Sequence, residues 1–433
     1  MEILGEFGED GLEIARKVTK EGAICDHCLG RQLAKISSGL SNERRGEILK
    51  EVLRERGEEL KAGKCWVCNG LFEQLEYWVS KALETLRDYE FDSFLVGTKV
   101  SGLLLENEEL LWEIAGASYA EPLKAELNRE VGKRIEHDTG KIVDFKLPDV
   151  VVILNLWTET VEVQVKAVFI YGRYRKLTRG ISQTRWLCRE CRGKGCERCN
   201  FTGKMYPESV EELISDSLRE EFKGEEMVLH GCGREDIDAR MLGSGRPFVL
   251  ELQEPRRRNV DLRMAEEKVN EENRGKVEVR ALRYVNREMV AKIKNAKMDK
   301  TYRIEVELKP LQGLRGHGAE PHKTRVPEEE VKNALERLSG ALIEQRTPTR
   351  VLHRRADLVR KRKVHSVRLV SFEAQNAVME IKCSAGLYIK ELISGDEGRT
   401  KPSFSELLGV EAEVKELDVL DVDLDREVED FTV

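Results

Sequence analysis

The apolar positions of this chain change period several times, and each change predicts an element. From 71 to 86 they recur at helical spacing, with Leu71, Leu75, Trp78, Val79, Ala82, Leu83 and Leu86 on one face. Upstream, 30–39 and 42–59 also read as helices. Downstream, 94–100 reads as a strand, a helical region runs to 135, and two β-rich runs, 150–156 and 161–168, follow Pro148. Ser209 and Glu212 form a capping box that opens a helix reaching 223. Met227, Val228 and Leu229 begin a strand, and 246–252 alternates as a second one. A helix from Asp261, a strand at 277–284, a further helix and a period-two strand at 300–308 come next. A hairpin at 364–372 and 377–383 leads to a last helix ending at Leu408. The order predicts a mixed α/β chain, and 433 residues make two to four domains at roughly 100–200 residues each.

Charge alters the picture locally. The formal net charge is −7, which argues against a uniformly basic coat. Yet residues 346–368 carry nine Lys or Arg against one Asp, and 410–433 carry ten acidic residues against two basic ones. The basic block suits a polyanion; its plain alternative is a solvated face. Tyr171, Arg173, Tyr174, Arg175, Lys176 and Arg179 mix rings and cations as a phosphate-and-stacking surface would. Residues 311–325, rich in Gly, His and Arg, read as an RNA-facing loop. No apolar stretch approaches the ~20 residues a membrane helix needs, and the acidic start lacks a signal-peptide core. A soluble, cytoplasmic protein is expected, with no membrane contact and no obligate protein partner.

Eight of the ten cysteines fall in four CxxC pairs. Cys25 and Cys28 with Cys65 and Cys68 make one four-thiolate set; Cys188 and Cys191 with Cys196 and Cys199 make a compact knuckle. Such sets point to two structural zinc ions, because every tetrahedral position is filled by protein. His27, between two ligands, is expected to be a bystander. Cys232 and Cys383 stand alone and are expected to be buried as small apolar residues.

Between the strands at 227–229 and 246–252 lies Gly231-Cys232-Gly233-Arg234-Glu235-Asp236-Ile237-Asp238-Ala239-Arg240. Its glycines permit a tight turn that presents Asp236, and the flanking arginines favour an ionised carboxylate. Such a group can act as a nucleophile; the alternative is a carboxylate that merely neutralises its neighbours. The Gly-Arg-Glu-Asp string resembles the Gly-Arg-Thr-Asp signature around the catalytic aspartate of tRNA pseudouridine synthases. Two further motifs extend the likeness. Lys300-Thr301-Tyr302 resembles the segment supplying the active-site tyrosine. Gly386-Leu387-Tyr388-Ile389-Lys390 resembles the Gly-Thr-Tyr-Ile-Arg motif, with Lys in place of the usual Arg, so a bidentate pair is lost.

With 91–97 and the strands after it resembling a THUMP domain, the whole chain is similar to the archaeal-type tRNA pseudouridine(54/55) synthases. The resemblance implies isomerisation of uridine to pseudouridine at positions 54 and 55 of the tRNA T-arm, without an organic cofactor. It implies Asp236 as nucleophile and Lys390 as its partner. Tyr302 and Tyr388 would border the base and Arg234 and Arg240 grip phosphates, with Leu407, or its neighbour Leu408, as an apolar wall. The expected organisation is a zinc-binding helical segment (1–70), a THUMP-like α/β domain that docks tRNA (71–185), the knuckle (186–204) and a catalytic domain around a mainly antiparallel sheet (205–433). A non-catalytic zinc-containing tRNA-binding scaffold is the alternative; it has no need of Asp236, Tyr302 and Lys390 together.

Overall fold

A computed structural model describes residues 4–36, 39–100, 102–309 and 325–423. The chain divides into two compact units, Met1–Lys166 with Glu254–Asn259, and Ala167–Gln253 with Val260–Val433. Among the described residues no helix is long and apolar enough to cross a membrane.

The first unit packs helices on a four-stranded sheet. Its strands are β1 (Ser93–Lys99), β2 (Ile142–Val143), β3 (Val150–Asn155) and β4 (Thr160–Val165), in the order β2-β1-β3-β4. β1 runs parallel to β2 and β3, and β4 is antiparallel to β3. The amphipathic stretch from Leu71 forms a helix over Leu75–Leu86, burying Leu75, Trp78, Val79, Ala82 and Leu86. Cys25, Cys28, Cys65 and Cys68 share this core. His27 is turned aside: its Nδ1 lies 2.8 Å from Glu126 Oε1 and its ring stacks on Phe72 at 4.5 Å.

The second unit is built on a ten-stranded sheet. Its strands are β5 (Val168–Lys176), β6 (Glu226–Gly231), β7 (Arg240–Gln253), β8 (Val277–Val285), β9 (Asp299–Lys309), β10 (Leu342–Arg346), β11 (Val359–Glu373), β12 (Asn376–Cys383), β13 (Thr400–Lys401) and β14 (Glu411–Asp423). The order is β13-β10-β11-β12-β9-β14-β7-β5-β8, with β6 paired to β7. Every pairing is antiparallel except β7 with β14, which touch in parallel at Arg240–Asp418 and Met241–Val419. Gly243, at φ +54, makes that approach possible, because a side chain there would run into the carbonyl of Leu420. Ser209 caps the helix Val210–Phe222 as the sequence predicts, its hydroxyl accepting from Glu212 N at 3.2 Å. Cys232 and Cys383 are each 1 % exposed, as expected of small apolar residues.

Three readings change. The β-rich run 161–168 is two strands, β4 ending at Val165 and β5 starting at Val168, in different units. β5, placed by its sequence in the docking module, instead joins the large sheet between β7 and β8. Its rings and cations are therefore no stacking surface: Tyr171, Arg173, Tyr174 and Lys176 are all buried. The cations survive burial by hydrogen bonding, Arg173 to the carbonyls of Ser244, Gly245 and Val422 at 2.8–3.0 Å. The Gly/His/Arg-rich stretch lies outside the described residues save Arg325.

Candidate active site

The loop between β6 and β7 carries Asp236, and buried polar side chains fix its backbone. Gly233 turns at φ +72. Gln183 Nε2 donates to Gly233 O at 2.9 Å, and Arg246 Nη1 donates to Cys232 O at 2.8 Å. Lys176 Nζ donates to the carbonyls of Asp236 and Ile237, both at 3.2 Å. Glu235, fully buried, balances these cations. It accepts from Arg246 Nε at 2.7 Å and from the Tyr174 hydroxyl at 2.8 and 2.9 Å. Burial would push its carboxyl up, but the Arg246 and Lys176 charges hold it below the ordinary range. The residue before the candidate nucleophile is thus an anchor, and the chain turns Asp236 outward from it.

Asp236 opens on a cavity of about 630 Å³, within the range that takes a small ligand. Nine of its lining residues are Lys or Arg and two are acidic, so the field there is positive although the chain is net negative. Two cations approach Asp236 Oδ2: Arg350 Nη1 at 3.4 Å and Lys390 Nζ at 3.8 Å. Arg350 is aimed by Glu391, whose Oε1 accepts from Arg350 Nε at 2.7 Å. Lys390 lies closer to Asp238, 2.7 Å from its Oδ2. Burial raises the Asp238 carboxyl, but the Lys390 hydrogen bond and charge bring it below its usual value.

Tyr302 lies on β9 between Ile381 of β12 and Val419 of β14, and faces the cavity with 9 % of its surface exposed. Burial pushes its hydroxyl above the ordinary value, so it stays protonated. Tyr388 borders the cavity, its hydroxyl accepting from Arg355 Nη1 at 2.9 Å. Gln345 clamps its backbone from both sides, at 2.8 and 3.0 Å. Arg234 lines the cavity and lies over the Trp186 ring at 4.4 Å.

Two expected contacts are placed elsewhere. Arg240 is engaged bidentately by Asp418, at 3.0 and 2.6 Å, and ties β7 to β14 rather than reaching into the cavity. Leu407 packs half-buried against the core and Leu408 is buried beside it; neither lines the cavity. The apolar wall comes from Met298, Leu387, Leu417 and Val419. Sequence reasoning also missed Arg350, Glu391, Gln345 and Lys300. Lys300 had a signal, since two residues before Tyr302 on a strand is the same face. Burial and the Arg246 charge lower its amine to about 8.

The two cysteine sets fit a tetrahedral metal. In each, the four Sγ atoms lie within 4.8 Å of one another. Cys25 and Cys68 Sγ are 3.6 Å apart, and sulfurs of the knuckle are 3.7–3.8 Å apart. A tetrahedral ion with Zn–S of about 2.3 Å requires sulfurs roughly 3.8 Å apart. Backbone N–H groups of Gly195, Cys196 and Gly203 point at knuckle sulfurs at 3.2–3.3 Å, as suits thiolates rather than thiols.

Residues 169–423 match the family described as Pus10, C-terminal, and residues 78–155 match Pus10 THUMP domain, archaeal. Proteins named tRNA pseudouridine synthase Pus10 resemble the chain along most of their length. The one from Methanothrix thermoacetophila is 47% identical over 96% of this chain and 95% of its own. Those from Halorubrum lacusprofundi (43%; 96% and 96%) and Methanocaldococcus jannaschii (40%; 97% and 96%) align as fully. A solved Cbf5-Nop10-Gar1 complex shares 18% identity over 49% of this chain and 45% of that one, with a TM-score of 0.30, too slight to carry an argument.

Proposed function

The chain belongs to the Pus10 family, and on that premise we propose that it is a tRNA pseudouridine synthase with Asp236 as nucleophile. The observation that carries the site assignment is Asp236 Oδ2 flanked by Arg350 and Lys390 at the mouth of a cation-lined cavity. Resemblance of the three motifs to the tRNA pseudouridine(54/55) synthases sets positions 54 and 55 as the proposed targets. The reaction runs in the cytoplasm, where tRNA is.

A uridine must leave its stack to reach Asp236, at a cost of a few kcal/mol. Cavity cations offset that cost by taking the flanking phosphates, a role for Arg234, Arg355, Arg360 and Arg362. Tyr302 stacks on the base against Leu417 and Val419. Asp236 attacks the ribose C1′ or the uracil ring; the glycosidic C–N bond breaks, the ring turns, C5 bonds to C1′, and the bond to Asp236 breaks to return its carboxylate. The C5 proton then leaves and N1 takes one up, so the product is an isomer and no oxidant or group donor enters. Arg350 and Lys390, at 3.4 and 3.8 Å from its Oδ2, hold the Asp236 side chain in place until it attacks. Lys300, near neutrality and facing the same cavity, is a candidate to hold a uracil oxygen or exchange a proton.

Zinc is the metal proposed for both cysteine sets. It would crosslink chain segments and supply no step of the reaction. Elemental analysis of purified protein should give close to two zinc ions per chain, and Cys191→Ser should bring the ratio close to one. A parent ratio near one would remove a site.

The function is tested by incubating the protein with an unmodified tRNA transcript and mapping pseudouridine at every uridine. Product at 54 and 55 is expected. Binding without any product would instead favour the scaffold.

A further inference from the structure

The knuckle presents to solvent a surface that the chemistry at Asp236 does not use. Some cations of this unit are committed to acids: Lys309 and Lys415 each bridge Glu307 and Glu413 at 2.6–3.1 Å, and Lys276 holds Glu208 at 2.7 Å. Arg189, Arg192 and Lys194 are exposed, and their side chains make no ion pair or hydrogen bond with any described residue. Three cations without an acid partner thus fall within six residues.

Phe201 adds the second observation. The residue is 74 % exposed, and its backbone is held at φ +60 directly after Asn200 at φ +49. Left-handed backbone is unfavourable for a residue with a Cβ. The knuckle imposes it: Phe201 N donates to Cys196 O at 2.9 Å, and Thr202 N to Cys199 O at 3.1 Å. Unlike a phenylalanine on a flexible tail, Phe201 has its backbone held by the loop that gathers the thiolates. The Phe201 backbone lies against Gly195, the residue after Lys194, where an added Cβ would come within 2.8 Å of Phe201 O. The segment also adjoins the cavity, because Trp186, two residues before Cys188, lies under Arg234.

We propose that the knuckle face formed by Phe201, Arg189, Arg192 and Lys194 binds an unpaired nucleotide of the substrate RNA, with Phe201 stacked on its base and the cations on the flanking phosphates. An exposed ring among uncommitted cations is the chemistry of single-strand recognition. A protein partner fits less well, since exposed apolar surface here is confined to Phe201 and Leu187. The inference rests on the reading of the chain as a tRNA-modifying enzyme.

Phe201→Asn tests it, because Asn accepts the left-handed backbone while removing the ring. Affinity for an unmodified tRNA transcript should fall roughly 5- to 100-fold, the range of one lost stack. Phe201→Trp should restore it. Arg192→Glu with Lys194→Glu should weaken binding and lower the salt slope by about 1.4, two phosphates' worth on a single strand. Single-turnover rates at saturating RNA and zinc per chain should stay at parent values. Parent-like affinity and slope in both variants would overturn the proposal, as would an effect confined to binding of a protein. A parent that makes no pseudouridine on tRNA would instead bring down the reading beneath it.

Discussion

Asp236→Asn should leave tRNA binding within about twofold of the parent and lower pseudouridine formation by roughly 10⁴-fold or more, the scale on which loss of a nucleophile acts. The substitution keeps the size of the side chain and removes the charge that attacks. Its surroundings favour clean folding, because the loop is pinned through backbone carbonyls by Lys176, Gln183 and Arg246, none of which uses the Asp236 carboxylate. Asp238→Asn is the informative neighbour. By position alone it would serve as a neutral control, but its carboxylate holds Lys390 at 2.7 Å. Partial loss is therefore expected there. Arg350→Met should cost more than Lys390→Met, because Arg350 is nearer Asp236 and is steered by Glu391. Substantial turnover by Asp236→Asn would remove it from the mechanism.

The second large effect is on stability. Glu235→Ala should destabilise the second unit by about 3–5 kcal/mol, because Arg246 and Lys176 would remain buried without their counter-charge. For a unit of this size that is a fall in Tm of roughly 10 °C. Replacing Glu235 and Arg246 together with Leu and Met should recover part of the loss, since only Lys176 is then left without an acid, and it still donates to the carbonyls of Ile181, Asp236 and Ile237. The pair also sets a pH dependence. The Glu235 carboxyl sits below its ordinary value in the fold, so its contribution is complete above an unfolded pKa of about 4.3 and fades as pH falls through the folded value. Thermal melts from pH 7 down to 3 should show a steeper decline for the parent than for the double variant. Equal slopes would mean that this carboxylate is not what acid removes.

The sequence by itself determined whatever is written in neighbouring residues. Four CxxC spacings put thiolates in reach of one another, because two residues between cysteines is a turn's length. The Gly-Arg-Glu-Asp loop, the Lys-x-Tyr strand head and the Ser209 cap are local patterns too, and each forms where its residues stand. Only the tertiary structure decided which distant groups meet. Arg240 reads as a phosphate ligand until Asp418, 178 residues away, arrives on β14 and engages it. Tyr171 to Lys176 reads as a basic, aromatic surface until β7 and β8 close over both edges of that strand. Leu417 and Val419, not Leu407, wall the cavity because the register of β14 against β9 sets them beside Tyr302. Arg350 becomes the nearest cation to Asp236 only because Glu391, 41 residues on, turns it there. Local pattern fixes what a side chain can do; long-range pairing fixes what it faces, and burial then selects which of its charges must be answered.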